Sequence, residues 1–224
     1  MSGKQKLGIT CSLATVLSLG LTMNASATII TDQLYNTGLN ATGDALPANG
    51  GVDANWSVSP GSNAVTYKHR LYAANSTTSM WISSNSSGGN ETTSSAEYLF
   101  STSFDLSGYD PVSAQITGLW GVDNYATIFL NNNATGVSLA FGYDAFRNLH
   151  DFTVAGGFIE GINTLTVKVT NGYDNNPSRE PGPMALRFDN LQLTANTVSV
   201  PEPGALALIA LGLVSIGAAR HRQR

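Results

Sequence analysis

The stretch Thr164-Leu165-Thr166-Val167-Lys168-Val169-Thr170 alternates without interruption between polar and apolar side chains. Successive side chains of a β-strand point to opposite faces, so this period of two predicts a strand whose odd-numbered residues lie in a core. Four other segments follow the same pattern. Their predicted inward residues are Val65, Tyr67, His69 and Leu71; Tyr98, Phe100, Phe104 and Leu106; Ala126, Ile128 and Leu130; and His150, Phe152 and Val154.

A further strand changes face along its length. Apolar side chains occupy the even positions of 184–188, whereas Leu191 and Leu193 continue in odd phase. One extra residue moves all later side chains to the other face, so the sequence predicts a β-bulge near Asp189 and Asn190.

Turn-forming residues separate these segments, and no window of the middle region shows a helical period. Many short strands joined by polar turns predict an antiparallel β-sandwich or jelly roll. The turn signals are Asn49-Gly50-Gly51, Gly88-Gly89-Asn90, Asn131-Asn132-Asn133, Gly156-Gly157, and Asn171-Gly172.

The charge and the cysteine content exclude several classes of function. The chain has 224 residues, and its middle, residues 28–199, carries six Lys and Arg against fourteen Asp and Glu, a formal charge of −8. Such a surface repels phosphates, which excludes a nucleic-acid-binding protein. Cys11, the single cysteine, lies in the apolar N-terminal segment. Once that segment is removed, disulfides and thiolate chemistry are excluded as well.

The N-terminus has the three parts of an export signal. Lys4 and Lys6 precede an uncharged apolar segment, and Ala25-Ser26-Ala27 follows with small side chains. Signal peptidase accepts small residues at these positions, so we expect cleavage after Ala27, with Ala25 and Ala27 as the recognised residues.

The C-terminus has the composition of a membrane anchor. Residues 204–219 are uncharged, and Arg220, Arg222 and Arg224 close the chain. As a helix the segment would span about 24 Å, against a hydrocarbon core of about 30 Å. The arginines favour retention on the cytoplasmic side, which predicts a transmembrane helix with the acidic middle region outside.

Pro201, Glu202 and Pro203, followed by this short apolar span and the arginine cluster, resemble the PEP-CTERM sorting signal of Gram-negative bacteria. The resemblance implies that an exosortase, a membrane-embedded cysteine protease-transpeptidase, cuts near the motif and releases or re-anchors the ectodomain. It also implies a setting of exopolysaccharide production and biofilm formation. A plain tail anchor is the alternative interpretation.

The middle region resembles the second half of galactose-binding-like jelly rolls. The matching segments are Trp120-Gly121-Val122-Asp123-Asn124, Ile128-Phe129-Leu130-Asn131-Asn132, Gly157-Phe158, Gly161-Ile162-Asn163-Thr164-Leu165 and Val169-Thr170-Asn171. Asn132 stands where those proteins have glycine, and residues 178–183 form an insertion. The resemblance implies the fold more than a ligand, because that superfamily hosts many functions.

Trp120, Asp123 and Asn124 are therefore the candidate ligand-binding or structural residues of the middle region. Asp123-Asn124 and the run Asp174-Asn175-Asn176 offer oxygen ligands for a structural Ca²⁺, but turn capping by Asn and Asp is the favoured interpretation. No cofactor is expected. His69 is interpreted as a core histidine.

The sequence contains no strong pattern of catalytic residues. His150 and Asp151 point to opposite faces of a strand, which argues against a His-Asp relay. Exposed aromatic rings could instead form a sugar-binding platform. The candidate rings are Trp56, Trp81, Trp120, Tyr67, Tyr72, Tyr125, Tyr143 and Tyr173.

We therefore expect four parts: a signal peptide at 1–27, a β-sandwich ectodomain at 28–194, a linker at 195–200 and a sorting and anchor segment at 201–224. The expected protein is exported and non-enzymatic, held transiently in the inner membrane and then placed at the cell surface or in the extracellular matrix. Its expected partners are signal peptidase, exosortase and polysaccharide. The alternatives are a carbohydrate-binding module and a secreted hydrolase that depends on His150.

Overall fold

Strand β10, Ile162–Asn171, lies where the strict alternation predicts it. The structure is a computed structural model that describes residues 27–59, 62–89, 96–172, 182–198, 210–214 and 221. The other strands are β1 Ala27–Ile30, β2 Val52–Ser59, β3 Asn63–Thr66, β4 Ile82–Ser83, β5 Ala96–Asp105, β6 Tyr109–Asp123, β7 Tyr125–Leu130, β8 Asn133–Leu139, β9 His150–Val154 and β11 Ala185–Thr197. A short helix, α1, spans Asp144–Arg147, and residues 210–214 are also helical.

The strands form one continuous antiparallel path in the order β8-β7-β10-β5-β2-β3-β4-β11-β6-β9, and β1 pairs with β11 beside β4. The two ends of the path, β8 and β9, come into contact. The sheet therefore curls into a nearly closed β-sandwich, which confirms the predicted fold class.

Burial follows the predicted alternation. Leu165, Val167 and Val169 of β10 are fully buried, and ten residue pairs in unbroken register join β10 to β5. The inward residues predicted for β5, β7 and β9 also face the core, although His150 is only half-buried. Trp56, Phe188 and Trp120 stack across the interior, with ring centroids 5.3 and 6.0 Å apart.

The predicted bulge in β11 is confirmed. The pairing of β11 with β6 shifts register between Asp189 and Gln192, and Asn190 has a positive φ of 50°. Met184, Leu186 and Phe188 on one side of the shift and Leu193 on the other all pack into the same core.

The strand predicted to run from Val65 to Leu71 is wrong in extent and in phase. Strand β3 ends at Thr66, and Ala64 and Thr66 are its buried residues, whereas Val65 is half-buried. Beyond it, the chain leaves the sheet to cover the outer face of β11, and Leu71 is exposed. The period of two in this segment therefore does not come from a strand.

The sheet extends beyond the predicted boundaries of the ectodomain, residues 28–194, at both ends. Strand β11 continues to Thr197 with Ala195 buried, so three residues of the predicted linker are paired in the sheet. Strand β1 begins at Ala27, the residue before the predicted signal cleavage. Residues 1–26, 199–209, 215–220 and 222–224 of the predicted signal, linker and sorting segments lie outside the described residues. These include Pro201, Glu202 and Pro203, and also Arg220, Arg222 and Arg224.

Strand register defines two ends of the sandwich. The exit end contains the start of β1, the end of β11, the turn at 107–108, the turn at 131–132 and the loop 155–161. The far end contains the start of β11 and the junction of β6 with β7 at Asp123 and Asn124. The turn at the exit end between β7 and β8 uses two asparagines with φ of 51° and 65°, as a two-residue hairpin turn requires.

The core position Leu165 provides a test of the inward assignment. Removing its buried side chain leaves a cavity, so we expect Leu165→Ala to lower the free energy of unfolding by about 2–5 kcal/mol. Ile162, in the same strand, is 63% exposed, and Ile162→Ala should change stability by less than about 0.5 kcal/mol. Urea unfolding of both variants measures this difference, and equal losses would contradict the assignment.

Candidate functional site

A cleft of about 300 Å³ opens at the far end of the sandwich. Four segments form it: the chain after β3, the junction of β6 and β7, the region of α1, and the residues before β11. Its lining residues are His69, Leu71, Asp123, Asn124, Phe141, Tyr143, Phe146, Gly182 and Pro183.

A small aromatic cluster outside the sandwich supports the cleft. Tyr72, Trp81, Phe146 and Ala185 pack together on the outer face of β11 and β6. Gly121 of β6 makes room for them, because a Cβ at this position would lie 2.8 Å from the Trp81 ring. Bulkier residues on this face would hold the covering segment away from the sheet.

A buried ion pair fixes the covering segment to β11. Arg187 donates to Asp189 at 2.8 Å, to the Ser79 hydroxyl at 2.8 Å and to the carbonyl oxygen of Ala74. Burial lowers the pKa of Arg187, and the charge of Asp189 opposes that shift. Since an unpaired buried charge is costly, this network constrains the path of residues 74–79.

Asp123 is the polar centre of the cleft. Its carboxylate is buried and accepts hydrogen bonds from the Tyr72 hydroxyl and from the Asn124 side-chain amide, each at 2.8 Å. Burial raises the pKa of Asp123 to about 7, although the Tyr72 hydrogen bond acts against this rise. Burial and the charge of Asp123 raise the pKa of Tyr72 well above its usual value, so Tyr72 stays a neutral donor.

His69 contributes a polar atom without a partner. Its Nδ1 is buried and makes no hydrogen bond with any described residue. Burial, and then the neighbouring charge of Arg70, lower the pKa of His69, so its neutral ring is favoured. The predicted role as a core histidine is therefore incomplete, because the half-buried side chain lines the cleft.

Apolar side chains form the mouth of the cleft. Leu71, Phe141 and Tyr143 are 39%, 45% and 69% exposed. The Tyr143 ring meets Phe146 edge-on at 5.7 Å, and the Arg147 guanidinium lies 4.9 Å from its centroid. A polar floor beneath exposed rings suits a small ligand that has both an apolar face and hydroxyl groups.

The structure separates the three candidate residues of the middle region. Asp123 and Asn124 line the cleft, whereas Trp120 is 1% exposed and stacks on Phe188 in the core. Asn124 also accepts a hydrogen bond from the backbone of Gly172. The described residues contain no group of three His, Cys, Asp or Glu side chains that could hold a metal. Asp174, Asn175 and Asn176 lie outside the described residues.

Among the aromatic residues predicted as a platform, Tyr143 presents an exposed ring at the cleft. Tyr72 is buried against Phe146, and all three tryptophans are buried. Tyr173 lies outside the described residues. The sequence interpretation missed Leu71, Phe141 and Phe146. The alternation places Leu71 in the core of a predicted strand, and the only sequence signal of Phe141 and Phe146 is an apolar side chain in a segment without a strand pattern.

His150 and Asp151 form no relay. The His150 ring lies 3.2 Å from the carbonyl oxygen of Asp144 and 3.5 Å from its carboxylate, and Asp151 is exposed on the other face of β9. The arrangement instead ties β9 to the start of α1.

The fold and the cleft define the class of the described region: an antiparallel β-sandwich with a ligand-sized cleft at one end. The C-terminal segment after this region contains a sorting signal. Residues 199–223 match the family model of the PEP-CTERM protein-sorting motif. The chain therefore carries a PEP-CTERM sorting motif, which supports sorting by an exosortase system and implies export with a membrane-associated C-terminal signal.

This match confirms the resemblance to the PEP-CTERM signal, and its range contains Pro201, Glu202, Pro203, Arg220 and Arg222 but not Arg224. The roles of these residues in sorting and retention stay predictions. No curated protein matches the chain. Residues 210–214 of the predicted anchor are helical, and none of the helices in the described residues is long and apolar enough to cross a membrane. The likeness to galactose-binding-like jelly rolls stays a prediction.

Asp123 makes stability depend on pH. Its pKa is about 7 in the folded protein against an ordinary value of 3.8, so the folded state binds more protons between these values. Its contribution to the free energy of unfolding should therefore fall as pH rises from about 4 to about 7, by up to about 1.4 kcal/mol per pH unit. We expect Asp123→Asn to remove this contribution.

Urea unfolding between about pH 4 and 8 measures this pH dependence. Asp151→Asn is the matched control, because Asp151 is exposed. If Asp123→Asn has the same pH dependence as the wild type, Asp123 is not the titrating group.

Proposed function

We propose that this protein is an exported, non-enzymatic protein of the bacterial cell surface or extracellular matrix, associated with exopolysaccharide and biofilm. Signal peptidase removes residues 1–27 through recognition of Ala25 and Ala27. Exosortase then cuts near Pro201, Glu202 and Pro203, while Arg220, Arg222 and Arg224 hold the sorting segment on the cytoplasmic side. The PEP-CTERM match at 199–223 is the observation that carries this proposal.

The arrangement of the cleft supports a non-enzymatic role. Glycoside hydrolysis ordinarily needs two carboxyl groups on opposite sides of a bond. Among the described residues that line the cleft, Asp123 is the single carboxylate, and both of its oxygens already accept hydrogen bonds. An acid held in this way is suited to position a ligand or to order the cleft.

A second candidate function is carbohydrate binding in this cleft. The observation that favours it is the combination, in one cleft, of exposed Phe141 and Tyr143 rings with the unpartnered Nδ1 of His69. A sugar ring has an apolar face that packs on aromatic side chains and an edge of hydroxyls that form hydrogen bonds. The chemistry fits a neutral saccharide.

Replacing the sorting motif tests the first proposal. Pro201→Ala/Pro203→Ala removes the fixed backbone that presents the cleavage region. In the native host, we expect this variant to stay uncut and in the membrane fraction, whereas Thr197→Ala should mature normally. Intact mass and membrane fractionation measure the outcome, and normal maturation of the double variant would refute exosortase recognition through these prolines.

Polysaccharide retention tests the second candidate. The mature protein should bind at least one neutral polysaccharide from the host, and Tyr143→Ala should weaken binding about tenfold through loss of one ring contact. Tyr143→Phe keeps the ring and should bind nearly as well. Ile159→Ala, an exposed substitution away from the cleft, is the control. Failure of the wild type to bind any polysaccharide would reject this candidate.

A further inference from the structure

The two chain ends of the ectodomain leave it side by side. Strand β1 pairs with the last residues of β11, so that Ala27 lies opposite Asn196. The backbone N–H of Val198, the last described residue before the sorting motif, donates to Gly108 at 2.9 Å. The N-terminal export segment and the C-terminal sorting segment are therefore both attached at the exit end.

The length of the connection limits the distance from the membrane. Five residues, 199–203, separate Val198 from the apolar segment that begins at Gly204. Even fully extended, they span at most about 18 Å. While the sorting segment lies in the membrane, the exit end must therefore remain close to the lipid surface.

The exit end also exposes apolar side chains. Val112 is 91% exposed, and Ile159 and Ile162 are 51% and 63% exposed. Ile29 and Val198, from β1 and the residue after β11, are 55% and 51% exposed. The register places these residues around the same end, because β10 starts beside the end of β5 and β6 starts beside the end of β11.

The charged residues at the exit end determine which lipids favour contact. Asp105, Asp110 and Glu160 lie there, and the described segments 27–32, 105–112, 155–162 and 193–198 contain no Lys or Arg. An acidic rim is repelled by anionic headgroups. Contact with a bilayer would therefore come from apolar insertion, and it would weaken as anionic lipid increases.

We propose that, before exosortase cuts the chain, the ectodomain rests on the outer surface of the inner membrane through its exit end, with Val112, Ile159 and Ile162 among the lipids. This orientation rests on the proposed export and anchoring. It directs the cleft away from the membrane, because the cleft lies at the far end of the same strands.

Fluorescence quenching tests the orientation in the membrane-anchored precursor. The full chain, with its signal-peptide cleavage site unchanged, is produced in a host that has no exosortase. It is then reconstituted into phosphatidylcholine vesicles. The mature chain has no cysteine after loss of Cys11, so Val112→Cys, Ile159→Cys and Tyr143→Cys each provide one site for a polarity-sensitive dye. Tyr143 is the matched control, because it is exposed and apolar but lies at the cleft.

We expect dyes at positions 112 and 159 to shift to the blue and to lose most of their emission when the vesicles contain nitroxide-labelled lipid. The dye at 143 should do neither, and added phosphatidylglycerol should reduce the effect at 112 and 159. Equal quenching at all three positions, or none, would overturn the orientation. Shielding at 112 that is also present in detergent without vesicles would indicate a second copy of the chain and would likewise overturn it.

Flotation of the vesicles separates this result from failure of the proposed function. If the precursor does not float with the vesicles, anchoring by residues 204–219 has failed, and the proposed function fails with it. If the precursor floats but positions 112 and 159 stay accessible to water, anchoring holds and only the orientation is wrong.

Discussion

The buried ion pair of Arg187 with Asp189, on the outer face of β11, is the interaction on which the cleft end of the molecule depends. Removing a cation from water is costly, and the cost is offset only where its donors are satisfied. Asp189, Ser79 and the carbonyl oxygen of Ala74 satisfy them. The segment that supplies the last two also carries His69, Leu71 and Tyr72. The charge therefore holds in place the chain that forms one wall of the cleft.

The covering segment lies over only the part of β11 that precedes the β-bulge after Asp189. Before it, inward residues such as Phe188 pack in the sandwich, while outward Ala185 and Arg187 lie beneath the covering segment. After it, Leu193 and Ala195 continue the core, and β1 pairs along the free edge. The register shift after Asp189 thus separates the part of β11 that is covered on both faces, near the cleft, from the part at which the chain leaves the sandwich.

The sequence predicts best those strands that are buried on one face, because alternation records only that kind of burial. It finds β5, β7, β9, β10 and the bulge of β11. It does not find β6, in which Pro111, Gly118 and Gly121 interrupt the period and the last four residues are buried on both faces. In the cleft, Asp123 and Asn124 are predicted through the resemblance to galactose-binding-like jelly rolls and through their side-chain oxygens. Phe141 and Phe146 are not predicted, because their role in the cleft depends on packing against segments that are distant in the sequence.

The cleft and the attachment of the sorting segment lie at opposite ends of the sandwich. Strand β6 runs from Tyr109 at the exit end to Asp123 in the cleft, fifteen residues in all, which corresponds to roughly 40–50 Å at the usual rise of a strand. Cleavage near Pro201 therefore removes an attachment without reaching any residue that lines the cleft. Conversely, the cover over β11 can change at Leu71 or Phe141 while the paired ends of β1 and β11 stay as they are. In a fold with this division, substitutions at the cleft leave the attachment of the sorting segment unchanged.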